Sequence, residues 1–120
     1  MLTITEIKSY ISEAITQYQS VYVGADIFPV TVCPSSRRQA VRNRVIKECG
    51  LEYKEDLYGT DAEVIDGPCG KQILIYQSMM KTKQQVFHAL WHEFGHILFG
   101  DEKQYGINFE DDTPMRSGYA

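Results

Sequence analysis

The sequence predicts an α+β fold: a small mixed or antiparallel sheet packed against one central helix, with two or so further helices. Three observations predict it. Apolar residues recur at helical spacing near the N-terminus, β-branched and aromatic runs separated by glycine-rich turns fill residues 51–76, and a long apolar stretch runs up to Gly100. At 120 residues the chain suits a single domain, 1–120, with one core.

Taken in order, Thr3 or Thr5 can cap a first helix that runs to about Ser20. Leu2, Ile4, Ile7, Ile11, Ala14, Ile15 and Tyr18 form its core-facing stripe. From Val21 to Val32, β-branched and aromatic residues interrupted by Gly24 and Pro29 predict one or two short extended segments. Pro34-Ser35-Ser36 opens a second helix that continues to about Cys49 and ends at Gly50, with Ala40, Val41, Val45 and Ile46 as a narrow apolar side. Strand-like pieces follow at Glu52 to Tyr58, Ala62 to Ile65 and Gln72 to Tyr76. Gly59-Thr60-Asp61 and Gly67-Pro68-Cys69-Gly70 are the turns between them. Thr82 with Gln85 three residues later predicts a capping box for the last helix, which Gly100 ends. Thr113-Pro114 argues against a regular helix through the final segment.

Global properties exclude some classes. A net charge of -4 favours neither nucleic acid nor an anionic membrane. The N-terminus lacks a basic segment followed by an apolar run, and no stretch approaches the roughly 20 apolar residues of a membrane span, so a cytoplasmic location is expected. Cys33, Cys49 and Cys69 are odd in number and widely spaced, which fits reduced, partly buried thiols better than a disulfide framework or a metal knuckle. Arg37, Arg38, Arg42, Arg44 and Lys47 crowd the helix over residues 35–49. They are read first as a solvated face and second as a surface for DNA phosphates or an acidic protein.

The segment HALWHEFGHILFG, residues 88–100, holds three histidines and a glutamate among mostly apolar neighbours. Apolar on nearly all sides, the helix over Val86 to Phe99 is expected to be a central buried element, so its polar exceptions need partners. At 100° per residue, His92 and His96 lie one turn apart on one face, with Glu93 about 60° from His96. This is the HExxH arrangement. Two neutral imidazoles so placed can both reach a zinc ion at about 2.0 to 2.1 Å, and the glutamate can act as general base on a water beside the metal. At background frequencies of roughly 2% for His and 6% for Glu, its chance occurrence in a chain this long is on the order of 0.3%. Gly95, inside the motif, costs about 0.8 to 1.0 kcal/mol relative to alanine, which predicts tight packing or a closely approaching substrate. His88, one turn before His92, is expected in a buried role behind the ligands rather than as a ligand. If the strand Gln72 to Tyr76 lies at a sheet edge beside this helix, its backbone can pair with an extended peptide, making Ile73 and Ile75 substrate-binding candidates. Tyr76, Tyr105 and Tyr119 are candidate donors to an oxyanion.

GKQILIYQ, a short spacer and VFHALWHEFGHILFG together resemble the core of the ImmA/IrrE-type zinc metallopeptidases. In that family a strand of the form G-x-x-I-x-L/Y-N precedes a helix whose HELGH-like segment binds zinc. The similarity covers approximately Gly70 to Gly100. It implies a zincin-like minimal core, zinc held by His92 and His96, and Glu93 as general base and acid. It further implies regulatory proteolysis inside the cell of a protein or peptide substrate, often a helix-turn-helix repressor encoded beside the peptidase in mobile elements. Such peptidases generally take a third ligand from an acidic residue well after HExxH, commonly followed by small residues. No clear E-x-x-A-N stretch follows here. Glu110, Asp111 and Asp112 are the best-placed candidates for that ligand, with Asp101 and Glu102 close to the helix end. The competing expectation is a catalytically inactive zinc-binding or regulatory module that keeps the helix without a complete ligand set.

Overall fold

The computed structural model describes residues 1–52, 55 and 59–99 of the chain. Its first helix, α1, spans Ile4–Val21 and starts from a capping box. The Thr3 hydroxyl accepts from the Glu6 amide at 3.1 Å, and the Glu6 carboxylate accepts from the Thr3 amide at 3.0 Å. Ile7, Ile11, Ala14 and Tyr18, spaced by four, three and four residues, are its buried stripe. The extended stretch after it yields one strand among the described residues, β1 (Val30–Cys33). A short 3₁₀ turn at Ser35–Arg37 leads into α2 (Arg38–Glu48).

The end of α2 is a Schellman motif. Gly50, at φ +73°, turns the chain so that its amide reaches the Lys47 carbonyl at 3.0 Å and the Leu51 amide reaches that of Ile46 at 2.9 Å. Next come β2 (Ala62–Gly67) and β3 (Gly70–Tyr76), joined by Pro68-Cys69 as a two-residue hairpin loop. The chain then enters α3 (Lys83–Phe99). The expected strand over residues 52–58 and the segment after Phe99 lie outside the described residues.

The sheet order is β1-β3-β2. β1 runs parallel to β3, pairing Val30 with Ile73 and Cys33 with Tyr76, while β2 runs antiparallel, pairing Ala62 with Ile75 and Gly67 with Gly70. Among the described residues the fold is therefore α+β, with a mixed three-stranded sheet and three α-helices. Alternation along β3 divides the interior into two cores. Ile73 and Ile75 join Ala62, Ile7, Ile11, Ala14, Val86, Leu90 and Phe94 beneath α1 and α3. Leu74 and Tyr76 join Cys33, Ile65, Val41, Val45 and Ile46 beneath α2. Such two-sided burial explains why the β3 sequence reads as an uninterrupted apolar run.

Two expectations are corrected here. β3 is not at an edge: its backbone is paired on both sides, and Ile73 and Ile75 are 0% exposed in the core. Neither its amides nor these two side chains can receive a substrate, so Ile73 and Ile75 are core residues. The basic helix is also less of a surface than its composition predicts. Arg42 is 1% exposed and Arg38 is half-buried, whereas Ala40, expected on the apolar side, is exposed. The Arg42 guanidinium donates to the Glu63 carboxylate at 3.3 Å and to the Glu55 carbonyl at 3.1 Å. Arg38 lies 3.9 Å over the Tyr76 ring. These contacts dock α2 onto the sheet and withdraw two of the five cations from any phosphate-binding face.

Candidate metal centre

Local sequence starts α3 where the site needs it to start. The Gln85 amide donates to the Thr82 hydroxyl at 3.2 Å, and the Gln85 side-chain oxygen accepts from the Thr82 amide at 3.1 Å, forming the expected capping box. From there Val86, Ala89, Leu90, Glu93, Phe94 and His96 follow one another around the buried side of the helix. That burial is one-sided, not all-round: His88 is exposed, Trp91 and His92 are half-buried, and Leu98 and Phe99 face outward. The helix is fixed by α1. Tyr18 packs on Phe94 with ring centroids 4.5 Å apart and edge-on against Trp91 at 5.3 Å. Gly95 is buried within the helix.

His92, Glu93 and His96 converge as the motif predicts, their ligand-capable atoms all within 4.8 Å of one another. The two Nε2 atoms are 3.0 Å apart, with the rings inclined at 81°. Two nitrogens at about 2.0–2.1 Å from a tetrahedral ion would stand about 3.3 Å apart, so an opening of the pair by a few tenths of an ångström accommodates one. Glu93 is 1% exposed, and its Oε1 has no hydrogen-bond partner. A buried carboxylate oxygen without a donor is costly unless a cation, a proton or a water meets it. The donor set therefore fits a divalent metal: two imidazoles on one face and a carboxylate beside them, at the boundary between the core and solvent.

The surroundings raise the basicity of that carboxylate. Burial pushes the Glu93 carboxyl well above the ordinary carboxylate range, and the nearby Glu63 and Asp61 carboxylates add to the effect. Asp61, at the turn before β2, is itself raised by burial, with the His88 imidazole acting in the opposite sense. A buried acid surrounded by other acids holds its proton until a positive charge enters.

His88 is corrected on one point. It lies on the same stripe, its ring 6.4 Å from that of His92, but it is exposed rather than buried. With Gln17, Val21, Phe87 and Trp91 it lines an open pocket of about 380 Å³ one turn N-terminal to His92. Of the oxyanion candidates, Tyr76 is spoken for: it is 0% exposed in the α2-side core, and its hydroxyl donates to Glu63 at 2.8 Å. Tyr105 and Tyr119 lie outside the described residues, as do Asp101, Glu102, Glu110, Asp111 and Asp112, the candidates for a third ligand. Among the described residues no further acid or histidine joins the group of three.

Sequence reading missed the two acids behind Glu93. Glu63 sits in AEVIDG, where it follows one buried residue and takes part in a buried pair with Arg42. A charged residue inside a β-branched run, with an arginine on a narrow apolar helix to match it, was the available signal.

The class defined by fold and site is an α+β protein whose helix α3 carries a His-Glu-His cluster able to hold a metal. Comparison with family models, with curated proteins and with solved structures gave no match for this chain. No helix among the described residues is long and apolar enough to cross a membrane.

Proposed function

We propose that the protein is a zinc-dependent endopeptidase of the ImmA/IrrE type, with a zincin-like core, acting in the cytoplasm on a protein or peptide substrate. The observation that carries this reading is the buried, unpartnered Glu93 oxygen beside two histidine nitrogens 3.0 Å apart. A structural zinc site closes its coordination shell with protein ligands and has no use for a buried general base. Zinc held by His92 and His96 would supply Lewis acidity towards a scissile carbonyl and towards water.

The remaining work belongs to this chain's own residues. Glu93 accepts the proton of the attacking water and returns it to the leaving amine nitrogen, a cycle that suits a carboxyl whose pKa is raised by burial. Packing of Phe94 on Tyr18 holds the helix, and with it the direction of Glu93, in place. The pocket between Phe87, Trp91 and Val21 offers an apolar seat for a substrate side chain. A helix-turn-helix repressor as substrate follows from the resemblance alone.

The donor set favours a second reading, a catalytically inactive zinc-binding module, because no third protein ligand joins His92 and His96 among the described residues. One experiment separates them. Zinc content after dialysis and turnover of a peptide library are measured for the wild type, Glu93→Gln and His92→Ala. The peptidase reading expects about one zinc per chain in the wild type and Glu93→Gln, cleavage by the wild type, a loss of at least about 100-fold in Glu93→Gln, and neither zinc nor cleavage in His92→Ala. Zinc without any cleavage above Glu93→Gln overturns the peptidase in favour of the module. No zinc in the reconstituted wild type overturns both.

A further inference from the structure

Cys49 and Cys69 are twenty positions apart in the sequence, yet the fold brings them together. Cys49 closes the C-terminal end of α2 and is 1% exposed, whereas Cys69 is exposed on the loop of the β2–β3 hairpin. The hairpin loop rests directly on the Schellman turn. A Cβ placed on Gly67 would stand 2.6 Å from the Cys49 carbonyl oxygen, and one on Gly50 would be 3.4 Å from Pro68 Cγ. The Cys49 sulfur accepts a hydrogen bond from Gln72 Nε2 at 3.1 Å, and the Cys69 thiol lies near enough to act on its ionisation. None of the three cysteines is in a disulfide, and Cys33 is buried in the α2-side core.

We propose that Cys49 and Cys69 form a redox-active pair, which a low-molecular-weight disulfide such as oxidised glutathione converts to an intramolecular disulfide clamping the β2–β3 hairpin to the end of α2. The exposed member reacts first. The Cys69 thiolate attacks one sulfur of the reagent, the reagent's S–S bond breaks, and one reagent thiolate leaves. The Cys49 thiol then gives up its proton and attacks Cys69 Sγ, so that the Cys49–Cys69 bond forms and the second reagent thiol departs. The balance is two protein thiols oxidised and one reagent disulfide reduced to two thiols.

Burial and the neighbouring Cys69 push the Cys49 thiol up to about 11, so the second step is the slow one and depends on the fold keeping the two sulfurs adjacent. The ring so closed contains Asp61 and Glu63, the two carboxylates that act on Glu93. Oxidation would therefore stiffen the segment that sets the electrostatics of the candidate metal centre. The pairing follows from the contact of the β2–β3 hairpin with the turn at Cys49 and Gly50 and is independent of the peptidase reading.

The test uses the full chain, reduced, with a chelator present and then treated with oxidised glutathione. Thiols are counted, the intact mass is measured and the peptides are mapped for the wild type, Cys33→Ser, Cys49→Ser and Cys69→Ser. The wild type and Cys33→Ser are expected to lose two thiols and the mass of two hydrogens without retaining glutathione, and to gain several degrees in Tm. Cys49→Ser should stop at one glutathione on Cys69, and Cys69→Ser should not react. A wild type that keeps all its thiols, retains glutathione on Cys69, links Cys33 instead or forms dimers through Cys69 overturns the proposal. Because Cys33→Ser tests the same pair with the third thiol removed, poor folding of either other variant does not hide the outcome.

Discussion

Glu93 is a charge that the metal-free fold would rather not hold. For an acid whose folded pKa is raised, the folded state binds more protons than the unfolded one between the two pKa values. Stability is then highest at low pH within that window and falls as pH rises through it. Glu93 is raised well above 4.5 and Asp61 is raised above 3.8, so both act in this sense. Metal-free protein should therefore become more stable on acidification from neutral pH towards about 5, before other carboxylates begin to protonate. Thermal melts with chelator across that range check it. Glu93→Gln should raise Tm at neutral pH and flatten the profile; an unchanged slope would mean that Glu93 is not the group responsible. Arg42 makes the opposite case at the same scale. It is a buried cation whose partner, Glu63, is also buried, and Tyr76 donates to that same carboxylate. Arg42→Met leaves Glu63 with Tyr76 as its one donor among the described residues and should cost about 3–5 kcal/mol in denaturant melts. Adding Glu63→Gln should recover part of that loss, because the strandedness of the charge, more than the loss of the ion pair, causes it.

At the scale of elements, three helix ends are fixed by residues within four positions of them, which is why those ends could be read from the sequence. Thr3 with Glu6 and Thr82 with Gln85 make the two boxes, and Gly50 makes the Schellman turn. Thr82→Ala removes the hydroxyl that accepts from the Gln85 amide. It should cost about 1 kcal/mol, read as a lower denaturant midpoint with an unchanged m-value. The HExxH cluster was legible for the same reason, since helical geometry alone places His92 and His96 together. What depended on contacts between distant segments was not legible. The placement of β3 between β1 and β2 follows from pairing across forty residues, so a strand that could have been an edge proved to be the centre, and Ile73 and Ile75 became core. Likewise, five cations on one short helix read as a surface until Glu63 on another element was seen to claim Arg42. The exposure of His88 is a third example: its position on the helix was plain, but whether anything covered it was a property of the neighbouring layers.

For the molecule as a whole, the cluster stands where α3 is clasped between α1 and the sheet, so metal binding and folding are one equilibrium. The unfolded chain offers no preformed pair of imidazoles. A metal that binds only the folded state adds RT ln(1 + [L]/Kd), about 2.7 kcal/mol at a free concentration one hundred times Kd. For a domain of this size that corresponds to a rise of about 10 °C in Tm. Zinc titration of the wild type should show this rise growing with the logarithm of zinc concentration, and chelation should reverse it. His96→Ala should abolish the shift, because one imidazole of the pair is gone. Glu93→Gln should keep most of it, because the carboxylate acts beside the metal instead of holding it. If Glu93→Gln lost the shift as fully as His96→Ala, Glu93 would be a ligand, leaving no free base for hydrolysis. The same titration would then favour a purely structural metal site on this helix.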